Sequence, residues 1–442
     1  MTLLLALLFA QEADWKAGLA EIKITPPEPV HMAGYASRNK PYEKVTADLY
    51  AKALALEDGK GSRAVIVTSD LIGFRGTIAD EICDRIAGKT GLQRSQVLLN
   101  SSHTHTGPVA SLSPSAQGMG PDDAARTIAY TKSLQDKVVE IAVRALSRLE
   151  PARLSWGSGV VHFPMNRREF TPRGVILGVN ARGPVDRSVP VLRVDGADGK
   201  LRAVLFQSAC HNTTLGGDIY EICGDFAGFA QEHVQEQSPG VQAMFMTGCG
   251  GDANPYPRGT MAYSRQHGAE LGREVLRVLG ARLAPVRGPL HAQFGRVDIP
   301  LLPVRPMEEL RELAQKGPSH QRGVFKSQLE TIEKGGKPPT HYTAPLAVWQ
   351  FGEDLTLVGL SGEVVVDYVM ALEAELGPLR LWVAAYCNDV FGYLPSARVV
   401  REGGYETRGV YYGGAGLFAP EAEAAVVKAV AGLAEKAGRK KP

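Results

Sequence analysis

Two histidines separated by one threonine, His103 and His105, stand in the polar stretch Ser101-Ser102-His103-Thr104-His105-Thr106-Gly107-Pro108. In extended backbone, residues i and i+2 share a face, so both imidazoles would look into one cavity. Neutral imidazole is the commonest protein ligand for zinc. The chain has only 10 histidines, and a third, His211, opens the comparable stretch His211-Asn212-Thr213-Thr214. Glu363, after Ser361-Gly362, adds a hard carboxylate oxygen. Two imidazoles and a carboxylate with one open position form the pattern of a catalytic zinc that activates water. Each residue also has an ordinary reading. His-x-His occurs in plain turns, His211 suits a hydrogen-bonded core histidine, and Glu363 suits an acid at a helix N-terminus.

Other residues suggest supporting chemistry. Asp70 and Asp225 could orient a ligand imidazole from behind or cap a helix. Arg167 and Arg168, in Met165-Asn166-Arg167-Arg168, offer guanidinium donors to a substrate oxygen, with surface salt bridges as the plainer reading. Backbone N–H groups around Gly250, within Gly248–Gly251, could line an anion pocket, or the glycines could serve a tight turn. The following Asp252-Ala253-Asn254-Pro255 contains neither serine nor threonine, so it supplies no hydroxyl nucleophile.

The elements that would position these residues are apolar strands running into polar loops. Val97–Asn100, Ala203–Ser208, Val241–Met246 and Leu355–Leu360 each lead directly into one of the stretches above. Helices are expected over 78–90, 127–149, 226–237, 261–279 and 420–437, with further strands over 51–56, 64–69, 191–194, 346–349 and 381–385. The alternation points to an α/β fold with a largely buried sheet. Open α/β sheets place ligands at such strand ends. Residues 301–343, rich in Pro, Lys, Arg and Gln, read as a helix plus a solvated insertion or connector.

Composition is that of a globular protein: 442 residues, 44% hydrophobic and 22% charged, with a net charge of +2. That charge provides no strong net field to attract nucleic acid or acidic membranes. Arg439-Lys440-Lys441 reads as a solvated end. The apolar run Leu3–Ala10, with Leu8-Phe9-Ala10 as a small-residue cleavage site, resembles a signal peptide. Residues 1–13 are therefore assigned to a leader, 14–442 to one catalytic domain, and the protein to the periplasm or the exterior. The five scattered cysteines form no CxxC pair. Cys210 and Cys223 are a conceivable disulfide, with buried free thiols the alternative.

As an ordered set, these stretches resemble the catalytic N-terminal domain of the neutral (non-lysosomal) ceramidase family. Met32–Ala36, "NSSHTHTGP", "MNRR", "SACHNTT", "GGDANP", "SGE" and "CNDVFGYLPS" match family blocks in the same order over nearly the whole chain. The resemblance implies a mixed β-sheet core flanked by helices. It also implies zinc on His103, His211, Glu363 and Tyr393. His105 would lie beside the substrate carbonyl, and Arg167 would be a substrate-side donor. Tyr393 enters through the resemblance alone. Two departures stand out. Asn254 occupies the position of the family's serine, and no counterpart of the C-terminal immunoglobulin-like domain is read.

The resulting expectation is a zinc-dependent amidohydrolase. It would cleave a small or lipid-like N-acyl substrate with metal-activated water, with His105, Tyr393, Arg167 and Asn254 catalytic and Gly250 and Asp252 bordering the substrate. A zinc-dependent esterase or deacetylase, or an inactive lipid- or glycan-binding relative, are the alternatives. Peripheral membrane contact is left open, and neither nucleic acid nor a protein partner is implied.

Overall fold

The computed structural model describes residues 14–114, 118–410 and 416–440. The leader assigned to residues 1–13 lies outside them. The fold is a mixed-sheet α/β architecture arranged as helices, sheet, sheet, helices.

The first sheet has nine strands. Its path runs Gln242–Thr247, Leu201–Ser208, Ser188–Gly196, Glu150–Val160, Trp15–Lys23, Tyr50–Asp58, Arg63–Ser69 and Val97–Ser101, with Ala284–Val286 added beside Glu150–Val160. The interior pairs are antiparallel, and the two terminal pairs are parallel. Side-chain alternation explains the layering. Val65, Val67, Val204 and Phe206 face outward onto helices. Ile66, Leu205, Met244 and Met246 face inward, onto Trp349, Leu357 and Trp382 of the second sheet. Helices Gly76–Thr90 and Pro121–Leu146 cover one half of the outer face, and Asp225–Gln237 and Met261–Leu279 the other.

The first sheet curls until its edges meet. Thr247 donates its N–H to Asn100 Oδ1 (3.0 Å) and its hydroxyl to Ser101 O (2.8 Å). The loops that follow Ser101, Ser208 and Thr247 are thereby gathered at one end. The second sheet runs Leu290–Pro300, His341–Phe351, Leu355–Gly359, Leu381–Ala384. Its last two strands are parallel, and Gly248 bridges Ala384. Its loops reach the same end of the molecule.

The 301–343 stretch joins two antiparallel neighbours. It holds two helices, Met307–Lys316 and Arg322–Glu333, where the sequence suggested one. Strands Trp15–Lys23 and Glu150–Val160 escaped the sequence reading because polar residues interrupt them, although both are interior to the sheet. Arg439 is not a solvated end. It donates to the carbonyls of Leu376 and Gly377 and so caps helix Asp367–Leu376. All five cysteines are buried and free.

Candidate metal centre

Four strand-end loops converge, tied together by backbone. Thr104 bridges Asn212. His211 N–H donates to Ala253 O (3.0 Å), and Gly251 N–H to Val364 O (2.7 Å). Glu363–Val364 and Tyr393–Leu394 form a short parallel ladder with Glu363 directly opposite Tyr393. Helix Asp367–Leu376 and strand Leu381–Ala384 lie within the connection between them. That register brings together two side chains 30 positions apart.

The side chains meet at ring nitrogens and carboxylate oxygen. His211 Nε2 lies 2.9 Å from Glu363 Oε2 and 2.9 Å from the Tyr393 hydroxyl. His103 Nε2 lies 3.3 Å from the same Glu363 oxygen. His105 Nε2 lies 3.2 Å from His103 Nε2. The imidazoles of His103, His105 and His211 offer nitrogens within 4.8 Å of one another, so these three buried or half-buried histidines can bind a metal ion. His103 and His105 converge, but not by strand alternation: His103 sits in the left-handed region at φ 56°.

Behind the rings stand carbonyl oxygens. His103 Nδ1 is 2.7 Å from Ile72 O, and His211 Nδ1 is 2.7 Å from Gly250 O. A carbonyl only accepts, so each Nδ1 carries the proton and each Nε2 presents a lone pair. The orienting groups are thus main-chain oxygens, not the aspartates considered from sequence. Asp70 accepts from Tyr50 N–H and Gln231 Nε2. Asp225 accepts from Leu215 N–H and the Ser264 hydroxyl. Neither touches a candidate histidine.

Arg167 and Arg168 are buried, which corrects the surface salt-bridge reading. Arg167 donates to Glu406 Oε1 (2.9 Å), Asn254 Oδ1 (3.2 Å) and the Tyr393 oxygen (2.8 Å). Arg168 donates to Glu406 Oε2 (2.6 Å), Glu402 Oε2 (3.0 Å) and Gly403 O (2.8 Å). Burial works to raise the Glu406 carboxyl, but the two guanidiniums outweigh it and hold it below the usual range. Asn254 Oδ1 also accepts from the Thr213 hydroxyl (3.2 Å).

Gly250 and Asp252 are fully enclosed, and their contacts are with protein. A Cβ on Gly250 would lie 2.4 Å from Cys210 N. Asp252 accepts from Val366 N–H (2.9 Å) and Asn166 Nδ2 (3.2 Å), and burial pushes its carboxyl up to about 7.

The electrostatics favour neutral His105 and His211 rings. Burial, then the Arg167 charge, pushes His211 down to about 3. Burial, then the neighbouring imidazoles, lowers His105 well below its ordinary value. Burial would raise Glu363, yet His103 and His211 hold it well below the usual carboxylate range. Burial raises the Tyr393 hydroxyl, and Arg167 opposes it.

Three residues at this site were not singled out in the sequence. Tyr386 packs its ring 4.5 Å from His103, with a buried hydroxyl that has no hydrogen-bond partner among the described residues. Tyr405 lies edge-on to Tyr393 at 5.5 Å, and Glu406 holds both arginines. Gly403-Gly404-Tyr405-Glu406 is another polar loop of the kind seen at the strand ends, and that was the available signal.

The architecture and the polar cluster at the sheet ends define a mixed-sheet α/β protein with a metal-competent histidine site. Residues 15–270 match the model of the neutral/alkaline non-lysosomal ceramidase N-terminal domain, and the chain belongs to that family. It is 26% identical over 330 residues to a neutral ceramidase of Pseudomonas aeruginosa, covering 69% of this chain and 48% of that protein. It is 26% identical over 273 residues to neutral ceramidase A of Dictyostelium discoideum, covering 57% and 37%. The chain thus spans about half the length, or less, of these curated relatives. The crystal structure of the Pseudomonas aeruginosa neutral ceramidase matches 97% of this chain and 76% of its own, with TM-score 0.73 and 21% identity. A structure described as ceramidase complexed with C2 matches with TM-score 0.74. These likenesses establish the fold.

Proposed function

We propose that the chain is a zinc-dependent hydrolase that cleaves the amide bond of a lipid-like N-acyl substrate. His103, His211, Glu363 and Tyr393 would hold the ion. A surplus of lone pairs carries the proposal. Both Nδ1 protons are committed to carbonyls, so two Nε2 lone pairs face one carboxylate oxygen at 3.3 and 2.9 Å. The single proton of the Tyr393 hydroxyl cannot separate them all. A divalent cation can, and two nitrogens with two oxygens lie within zinc's repertoire. The neutral His211 ring fits the requirement that ligands be deprotonated. When bound, zinc supplies Lewis acidity toward a carbonyl and acidifies an adjacent water.

The chain's own residues account for the rest. Arg167 fixes the Tyr393 oxygen and the Asn254 carbonyl oxygen together. With the Asn254 Oδ1 turned toward Arg167 and Thr213, a flipped amide would set donor against donor, so Nδ2 points the other way. Among the described residues Nδ2 makes no hydrogen bond, and it is not a sealed atom. It is a donor for the substrate oxygen that gains charge as the carbonyl is attacked. Asn254 is no hydroxyl nucleophile, which leaves water as the attacking group. His105 is half-buried, with Nε2 facing the cluster and Nδ1 without a hydrogen-bond partner among the described residues. It would carry a proton to the leaving amine. Gly250 and Asp252 support the pocket from behind, through the His211 ring and the Val366 backbone. The relatives' name carries ceramide, an N-acyl lipid, as the substrate class.

Asn254 also supports a second reading, in which the same centre cleaves an ester or a sugar-linked N-acyl group. Metal analysis with a panel of N-acyl sphingoid, N-acyl amino acid, N-acetyl sugar and ester substrates tests both. One zinc per chain and amide turnover are expected, both lost in His211→Ala. A zinc-free wild type or a fully active His211→Ala refutes the proposal, and turnover of esters alone selects the second reading. Turnover of any substrate removes the reading of an inactive lipid- or glycan-binding relative.

Among the described residues no helix is long and apolar enough to cross a membrane. Export with residues 1–13 as leader is part of the proposal. N-terminal sequencing of exported protein checks it.

A further inference from the structure

We propose that the hairpin formed by Arg168–Thr171 and Gly174–Leu177 seats the chain on an anionic lipid surface beside the candidate site. These strands form a two-stranded sheet of their own. Such a ribbon is marginal in water unless something anchors it. The anchor here is polar: Arg168, at its base, is held by Glu406, Glu402 and Gly403 O. Val175 packs over Gly404, where an added Cβ would lie 3.0 Å from Val175 Cγ1. Gly404 adjoins the half-buried Tyr405, whose ring meets Tyr393. The hairpin therefore adjoins the candidate site through Tyr405.

Beyond the anchor the surface turns apolar. Phe170 is 58% exposed, Ile176 47%, Leu177 48% and Val179 43%. These are four of the ten exposed large hydrophobics among the described residues, and they fall within ten consecutive positions. The register sets Phe170 opposite Val175 and Arg168 opposite Leu177, so Phe170 and Leu177 share one face. Ile176, opposite Glu169, lies on the other face. Exposed apolar side chains on both faces of the ribbon suit immersion in a surrounding medium better than docking on one flank. Four side chains also fall well short of the roughly 800 Å² per partner of a stable protein interface.

The charges fit an anionic interface. Arg173, at the turn, and Arg182, just beyond the hairpin, are exposed and make no ion pair among the described residues. The neighbouring acids are engaged with backbone: Glu169 accepts from Val179 N–H, and Asp186 from Ser188 N–H. Apolar side chains flanked by free cations are the chemistry of an interfacial anchor. The catalytic consequence, delivery of substrate from the lipid layer, rests on the N-acyl lipid reading above.

The test is flotation of the full chain with vesicles of phosphatidylcholine, alone or mixed with phosphatidylglycerol. Wild type is expected to bind the mixed vesicles more tightly. Phe170→Ser with Leu177→Ser is expected to weaken binding by about tenfold or more. Arg173→Gln with Arg182→Gln is expected to remove only the preference for phosphatidylglycerol. Turnover of a water-soluble short-chain N-acyl substrate should be unchanged by the apolar pair, while turnover of a vesicle-embedded one falls with binding. If the first pair destabilises the chain, Ile176→Ser with Val179→Ser gives the same reading. Wild type that binds neither vesicle, or variants that bind as wild type does, overturns the proposal. Flotation needs no turnover, so failure of the hydrolase reading and failure of this one are separately visible.

Discussion

Replacing Glu363 with glutamine should stabilise the metal-free chain and weaken the metal-bound one. In the wild type, Glu363 Oε2 faces two Nε2 lone pairs, at 2.9 and 3.3 Å. Burial and Arg167 push His211 down to about 3, so that ring is neutral at pH 8. The amide of Glu363→Gln can turn its two N–H groups toward those lone pairs. Each net hydrogen bond contributes about 0.5–1.5 kcal/mol, so the apo variant, with two of them, should gain about 1–3 kcal/mol. In a chain of this size that is a rise of roughly 1–6 °C. The ion then loses an anionic ligand. Disturbing even an outer partner of a metal ligand costs about 10–100-fold in affinity, so a loss of at least about 100-fold is expected. At zinc equal to about 1,000 times the wild-type Kd, the wild type gains about 4.1 kcal/mol and the variant only about 1.4 kcal/mol. The variant's advantage is therefore cancelled or reversed when zinc is added. Calorimetry at pH 8, with chelator and then with buffered zinc, reads both halves. An apo variant less stable than apo wild type, or an equal zinc-induced rise in both, would refute the reasoning.

Other outcomes follow from the same contacts. Glu406→Gln leaves Arg167 without its anionic partner while Arg168 keeps Glu402; a loss of about 3–5 kcal/mol is expected by urea unfolding. Gly250→Ala forces a Cβ to 2.4 Å from Cys210 N and displaces the carbonyl that orients His211, so zinc affinity should fall about 10–100-fold by competition titration. Asp252 carries a pH signature: its folded value is about 7, against about 3.9 unfolded. The folded state binds the extra proton between those values, so this group's contribution is full below about pH 4 and lost as pH rises through 7. Asp252→Asn should flatten that decline, worth about 4 kcal/mol at most, in unfolding curves measured from pH 4 to 8. Asn254→Ala should lower kcat far more than zinc content, since it removes an oxyanion donor and no ligand; a loss of about 10²–10³-fold in kcat is expected.

Much of this was legible where one physical cause acts alone. Val97–Ser101, Leu201–Ser208 and Gln242–Thr247 are buried on both faces and read as apolar runs. Their ends therefore exposed His103, His211 and the Gly248–Gly251 loop to inspection. Helix Met261–Leu279 also has the bounds its amphipathic pattern suggested. Trp15–Lys23 was hidden because its solvent-facing residues break the run, though it is interior to the sheet. The site was legible as residue types and not as geometry. Tyr393 reaches Glu363 through a two-residue parallel ladder, and no local spacing encodes that pairing. His103 and His105 converge through a left-handed backbone where alternation suggested extended chain. Arg167 and Arg168 looked like surface charges because their partner, Glu406, lies 239 and 238 positions away.

Anomalous diffraction from crystals of the purified chain, recorded on both sides of the zinc absorption edge, addresses the metal centre most directly. The account predicts one zinc peak within about 2.0–2.2 Å of His103 Nε2, His211 Nε2, Glu363 Oε2 and the Tyr393 oxygen, with His105 outside the coordination shell. A peak held by His103, His105 and His211 without Glu363, or no zinc peak at all, would contradict it.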